Sequence, residues 1–233
     1  MSKSYNLSVF AGKIIAIDGP AGSGKSTTAK MLAERLGFIY LDTGAMYRAI
    51  AYFALKHDVD LDDGQKLGTI ADKVAIEFEM VNGINRVYIN GEDVTEAIRT
   101  PEVNEAVSPV AVHPKVREAM VKRQKVMGAK GNVVAEGRDT TSVVFPNADL
   151  KVYLDASIEE RARRRVLEYT HKGQDTTIEE QEELLAKRDT IDSGRAYSPL
   201  TRTKDSILVD TSNLNIEEQV EKIITLMRTR LKT

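Results

Sequence analysis

Apolar residues follow two rhythms along this chain. Near the start, KIIAIDG from Lys13 is a continuous β-branched run, the pattern of a strand buried on both faces of a parallel sheet. STTAKMLAERLG, from Ser26, then carries apolar residues at helical spacing and stops at Gly37, a natural C-terminal cap. FIYLD reads as a second short strand, and a helix is expected from about Gly44 to Lys56. Strand, glycine loop, helix, strand points to an α/β sheet with a right-handed crossover. NVVAEG, LKVYLDA and SILVD add three core strands, and NIEEQVEKIITLMRTRLK is an amphipathic helix with Asn215 as its cap.

The middle changes period. VAIEFEMVNGINRVYINGEDV alternates apolar and polar residues around Asn82-Gly83 and Asn90-Gly91, which is hairpin chemistry. An antiparallel meander inside an α/β chain is expected as a small insertion over about residues 63–110, the alternative being an irregular loop. Pro101, Pro109 and Pro114 punctuate the return to a helix, PKVREAMVKRQKVMGAKG. The chain shows no internal repeat, and its 233 residues suit one domain, 1–233, carrying that insertion.

Composition narrows the chemistry. With no cysteine, disulfides, thiolate metal sites and a thiol nucleophile are excluded, as a reduced compartment permits. Lys and Arg number 33 against 35 Asp and Glu, so broad neutralisation of a nucleic-acid backbone is disfavoured unless the basic residues cluster. The apolar runs are far shorter than a membrane span and the start lacks the hydrophobic core of a secretion signal. A soluble, cytoplasmic protein without membrane contact is expected. No apolar surface stripe argues for a dimer, so a monomer is the default. His57, His113 and His171 are scattered without metal-ligand spacing and read as surface or turn residues, and the seven methionines as core filler.

Gly19 to Ser26, GPAGSGKS, has the form G-x-x-x-x-G-K-S between a strand and a helix. Backbone N–H groups of such a loop turn around phosphate oxygens and the helix N-terminus adds its positive end. Lys25 reaches the outer phosphates and Ser26 can hold Mg²⁺. The chain is therefore expected to bind a nucleoside triphosphate with magnesium through Gly19, Pro20, Ala21, Gly22, Ser23, Gly24, Lys25, Ser26 and Thr27. The loop alone does not separate switches, motors and kinases. An N/T-K-x-D base-reading stretch is absent, which argues against a switch GTPase.

Other stretches start at strand ends, the ligand edge of an open α/β sheet. LDTGAMYR offers Asp42, Thr43 and Arg48, either for a phosphate or as a helix cap with a surface arginine. EGRD offers Arg138 as a phosphate clamp and Asp139 as an acceptor for an exocyclic amine; a local ion pair is the plainer reading. KRDTIDSGR spaces Arg188, Asp192 and Arg195 by four and three, on one helix face, as a ligand clamp or a solvated ladder. EERARRR places Arg161, Arg163, Arg164 and Arg165 on a helix where they repel unless an anion neutralises them, with Arg161 and Arg165 aimed at one partner. Triphosphate under a lid over about 157–180 would serve, as would a nucleic-acid backbone.

Taken together, IAIDGPAGSGKST, LDTGAMYR, GEDVTEAIRTPEV, EGRDTTSVVFPNA, LDAS followed by EERARRR, and RDTIDSGR resemble the bacterial cytidylate kinase family of nucleoside monophosphate kinases, in order and spacing, over essentially the whole chain. The resemblance implies a P-loop NTPase fold, three layers α/β/α around a parallel sheet, with a three-stranded sheet enlarging the monophosphate-binding region. It implies transfer of the γ-phosphoryl group of ATP, with Mg²⁺, to CMP or dCMP. Carried over, Ser108, Arg117 and Asp139 would face cytosine. Thr43, Arg48 and Arg138 would lie near the sugar or phosphate, and Arg188, Asp192 and Arg195 on the pentose and phosphate side. Lys25 with Arg138, Arg161, Arg165, Arg188 and Arg195 would offset charge on the transferring group. Two positions depart from the family pattern: threonine at 43 where serine is common, and TTS after Asp139 where MGT is usual. Rival readings are a kinase for UMP, AMP or a metabolite, and a P-loop ATPase binding nucleic acid through residues 161–165.

Overall fold

The computed structural model describes residues 7–81, 83–171 and 173–231. The chain forms two compact units. One comprises the stretch up to Leu41, Met127–Gly194 and the stretch from Ser198 onward; the other comprises Asp42–Val126 with Arg195–Tyr197.

The first unit is built on a five-stranded sheet in the order β2-β6-β1-β7-β8. The strands are β1 (Ile14–Asp18), β2 (Ile39–Asp42), β6 (Val133–Gly137), β7 (Leu150–Asp155) and β8 (Ile207–Asp210). β1 pairs in parallel with both β6 and β7, and β7 with β8. The continuous apolar run at 14–17 has its physical reason here: β1 is central, and Ile15, Ala16 and Ile17 are wholly buried. Helices α1 (Lys25–Leu36) and α8 (Ile216–Arg230) cover it, with Leu32, Ala33, Val220, Ile223 and Met227 packed on Ile15, Ile17, Val152 and Leu154. Asn215 caps α8 as expected and forms a full capping box with Glu218. Gly37 closes α1 in the left-handed region, its N–H donating to Ala33 and Glu34 carbonyls. Helices α6 (Ile158–His171) and α7 (Ile178–Gly194) pack on each other.

The second unit holds α2 (Thr43–Lys56), α3 (Gly64–Lys73), the antiparallel strands β3 (Ile76–Val81), β4 (Ile84–Ile89) and β5 (Glu92–Asp93), then α4 (Pro101–Ala111) and most of α5 (Pro114–Gly128). The meander exists as patterned. Val81 pairs with Ile84 across the first turn, of which Asn82 lies outside the described residues. Asn90 (φ 51°) and Gly91 (φ 83°) make the second turn, the two positive angles that a tight hairpin demands. The stretch read as a strand insertion also carries helices on either side. Pro101 and Pro114 open helices at their first position, where a missing N–H costs nothing, rather than merely interrupting the chain. Pro109, expected as punctuation, sits inside α4.

Gly19 follows β1 at φ 150°, and a Cβ there would stand 1.9 Å from the Leu154 carbonyl oxygen. Backbone of a central strand cannot yield, so Gly19→Ala should lose more than about 3 kcal/mol or fail to fold. Gly37→Ala, at φ 66° with open space around the missing Cβ, should lose only about 1–2 kcal/mol. Denaturant melts of both variants check this; equal losses would contradict the close approach.

Candidate functional site

The loop between β1 and α1 is shaped from outside. The Ala21 carbonyl accepts from Arg161 Nη1 at 3.1 Å, the Gly22 carbonyl from Arg164 Nη1 at 3.5 Å, and Ser23 O lies 3.0 Å from Thr211 Oγ1. In a planar trans peptide the N–H points opposite the carbonyl. Fixing these three carbonyls therefore turns the N–H groups of Gly22, Ser23 and Gly24 the other way, as an anion-binding nest requires. α1 starts at Lys25 with no side-chain cap on Gly24.

Lys25 is buried, its Nζ donating to the Pro20 carbonyl at 2.7 Å. Burial, then the charges of Arg138 and Arg188, push its pKa down to about 7, against the opposing pull of Glu136 and Asp18. Ser26 Oγ donates to Glu136 Oε1 at 2.6 Å, and the Tyr40 hydroxyl to the same oxygen at 3.2 Å. Glu136 had no assigned role in the sequence motifs. The available signal was a lone carboxylate closing the apolar run NVVAEG.

Arg138 Nε donates to Asp192 Oδ2 at 2.8 Å, and Arg188 Nε lies 4.0 Å from the same oxygen. Burial works against the Arg138 charge, but Asp192, then Glu136 and Asp189, outweigh it and hold the pKa above the ordinary arginine value. Arg138 and Arg188 flank the Asp192 carboxylate. Arg195 lies past Gly194, where α7 ends, and so is not on the helix face its spacing suggested. It is buried and belongs to the second unit. Asp139 is buried, and Arg138 Nε is turned to Asp192.

The arginine run divides. Arg161 is engaged by the Ala156 and Ala21 carbonyls and by Asp189 Oδ2 at 2.7 Å. Arg164 bonds Glu160 and Thr211, while Arg165 bonds Glu168 and lies over the Tyr169 ring. Arg163 is the exposed member, 3.9 Å from Glu160. The chain's own carboxylates neutralise the run, and Arg161 and Arg165 do not converge on one partner. They share a helix face, but different nearby acids, Asp189 and Glu168, take them.

In the second unit, Asp42 caps α2 by accepting from Ala45 N at 2.8 Å and also takes Arg48 Nη2 at 2.8 Å. The helix cap of that stretch is present, but Arg48 is not a surface residue. Burial alone would raise the Asp42 pKa; Arg48 and then Arg99 overcome it and hold the carboxyl below the usual range. Thr43 is buried at the first position of α2, Ser108 is buried in α4, and Arg117 in α5 donates to the Ala111 carbonyl with its guanidinium 5.1 Å from the Tyr47 ring centroid. Arg99 and Tyr47 were not singled out by motif spacing.

Among the described residues no group of acids and histidines has the makings of a closed metal site, and no helix is long and apolar enough to cross a membrane. His113 bonds the Leu61 carbonyl and His57 packs on Phe53.

The family model described as cytidylate kinase matches residues 15–229. The chain belongs to the cytidylate kinase family. It is 48% identical over 213 residues to a cytidylate kinase of Bacillus cereus (strain ATCC 10987 / NRS 248), covering 91% of this chain and 95% of the relative. A cytidylate kinase of Bacillus thuringiensis (strain Al Hakam) is 49% identical over 90% of this chain and 93% of its own. A crystal structure of an uncharacterised protein from Eubacterium ventriosum shares the fold at TM-score 0.53 and 16% identity, covering 94% of this chain and 99% of that one. Against the family pattern, the TTS stretch keeps its turn without a glycine, because Thr141 has no positive φ.

Lys25 gives a stability test. Its folded pKa lies below the unfolded value, so the unfolded chain binds the extra proton between about pH 7 and 10.5. The penalty of the buried charge is complete below pH 7 and fades as pH rises through that window. Lys25→Met should be more stable than the parent by a few kcal/mol near pH 7, with the gap narrowing towards pH 10. Urea melts of both proteins across that range read it; a gap independent of pH would overturn the buried-charge account.

Proposed function

We propose that the chain transfers the γ-phosphoryl group of ATP to the 5′-phosphate of CMP or dCMP, giving ADP and CDP or dCDP. The observation that carries this reading is the phosphate loop with buried Lys25 and half-buried Arg138 and Arg188 in one unit, the charges of both arginines acting on Lys25. An acceptor phosphate oxygen attacks the γ-phosphorus and the bond to the ADP oxygen breaks. That oxygen is already ionised, so no base is needed; alignment and positive charge are the protein's contribution. Lys25 would meet the outer phosphates, and Arg138, Arg188 and Arg195 the acceptor and transferring phosphates. Thr43, Arg48, Ser108, Arg117, Asp139 and Asp192 would take the nucleoside monophosphate, with Asp139 accepting from the cytosine amine. Arg161 and Arg165, each now beside a carboxylate, would add positive charge for the transferring group.

Ser26 and Glu136 fit Mg²⁺: a hydroxyl and a carboxylate 2.6 Å apart at the loop's end are the hard-oxygen donors this ion takes beside substrate phosphates. Bound there, it would neutralise phosphate charge. A cytoplasmic, monomeric protein without nucleic-acid partner completes the reading. The self-neutralised arginine run disfavours the nucleic-acid ATPase.

The test incubates the protein with ATP and each nucleoside monophosphate, then with RNA. ADP should appear with CMP and dCMP; RNA-stimulated hydrolysis without acceptor turnover would sink the proposal. Lys25→Ala should lower kcat on the order of 10²- to 10³-fold. Asp139→Ala should raise the KM for CMP far more than that for ATP, and equal changes would refute its base contact.

A further inference from the structure

Asp18, the last residue of β1, is fully buried next to the phosphate loop and belongs to no motif role. Its two oxygens accept four hydrogen bonds. Oδ1 takes Thr140 N at 2.9 Å and Thr140 Oγ1 at 2.7 Å; Oδ2 takes Thr141 N at 2.8 Å and Thr141 Oγ1 at 2.6 Å. The backbone of the same residue stands opposite Gly137 at the end of the β1–β6 ladder.

Asp18 thus grips the chain at 137 through the sheet and at 140–141 through its carboxylate. Only Arg138 and Asp139 lie between the two grips. A two-residue span held at both ends has little freedom to move, and beyond it the turn closes on itself: Val143 and Val144 N–H both donate to the Asp139 carbonyl, and Phe145 N–H to that of Thr140. The arrangement is costly. Burial pushes the Asp18 pKa up and the nearby Asp139 charge adds to it, while the Thr141 and Thr140 donors oppose both. Apolar packing could fill the same space without a buried acid. What packing cannot do is fix two successive peptide planes in direction, which four charge-assisted bonds can.

We infer that Asp18, through the Thr140–Thr141 turn, is a positioning residue that sets Arg138 and Asp139 for the acceptor nucleotide. The inference rests on the reading of CMP or dCMP as acceptor. Thr140 and Thr141 touch no substrate in this scheme; they hold the turn.

Steady-state kinetics of the Thr140→Val/Thr141→Val double variant test it, with the Thr140→Ser/Thr141→Ser pair as rescue and thermal melts to confirm folding. Valine removes both hydroxyl donors and keeps the shape. The KM for CMP should rise on the order of tenfold while the KM for ATP stays within about twofold, and the serine pair should restore the parent values. Asp18→Asn, which sets an amide N–H against a threonine donor pair, should give the same split. A merely structural latch would lower the melting temperature and move both KM values together or neither, and that result overturns the inference. If the parent protein turns over another monophosphate, the same split is read with that acceptor. A parent that phosphorylates no monophosphate overturns the reading of function, and the inference with it; an active parent with unchanged variants overturns the inference alone.

Discussion

A parallel sheet brings the ends of all its strands to one edge, where the chain must leave the ladder and its backbone N–H groups need new partners. In this protein every strand of that sheet carries an acid there: Asp42 on β2, Glu136 on β6, Asp18 on β1, Asp155 on β7 and Asp210 on β8. Four of them accept from backbone N–H groups. Ala45, Thr140 with Thr141, Ala156 and Ser212 are the donors. The fifth, Glu136, takes hydroxyls from Ser26 and Tyr40 instead. The edge that must turn its chain is also the edge that binds ligands in such sheets; of these acids Asp42 also holds Arg48, and Glu136 holds Ser26 at the end of the phosphate loop.

This arrangement explains how so much cationic side chain is held largely out of bulk water: a carboxylate stands beside each. Asp192 sits between Arg138 and Arg188, Asp189 holds Arg161, and Asp42 holds Arg48. Lys25 is buried, with the charges of Arg138 and Arg188 against it and those of Glu136 and Asp18 in its favour, and its pKa is depressed first by burial and then by the two arginines. A buried lysine charge beside a phosphate loop costs stability that bound phosphate would return, which is how an anion site trades stability for affinity.

Much of this was legible in order along the chain. β-branched runs located the parallel strands because central strands bury both faces, and NG pairs located the meander because tight hairpins need positive φ. The phosphate loop was legible because its glycines have a steric reason, as at Gly19. Helices α3 and α4 were not, since GQKLGTIADK is short and PEVNEAVSPVA carries an internal proline that reads as a break. In the site, local spacing succeeded where partners share a helix, as for Arg188 and Asp192. It failed where the partner comes from another element, since Arg138 finds Asp192 and Arg161 finds Asp189 across long stretches of chain. Arg195 shows the converse error: an i, i+3 rule assumes a helix that Gly194 has already ended.

The arginine run of α6 shows what decides between two readings of the same charge cluster. Four arginines in five positions look like a surface for an external polyanion only while their acids are out of sight. Glu160 and Glu168 lie on the same helix at three- and four-residue spacing and on α7 Asp189 is the third, so the cluster is internally balanced. Its remaining polarity goes into the phosphate loop, where Arg161 and Arg164 hold the Ala21 and Gly22 carbonyls. A basic helix that fixes a loop's carbonyls acts on an anion without touching it, because each carbonyl held on one side of a peptide plane presents an N–H on the other.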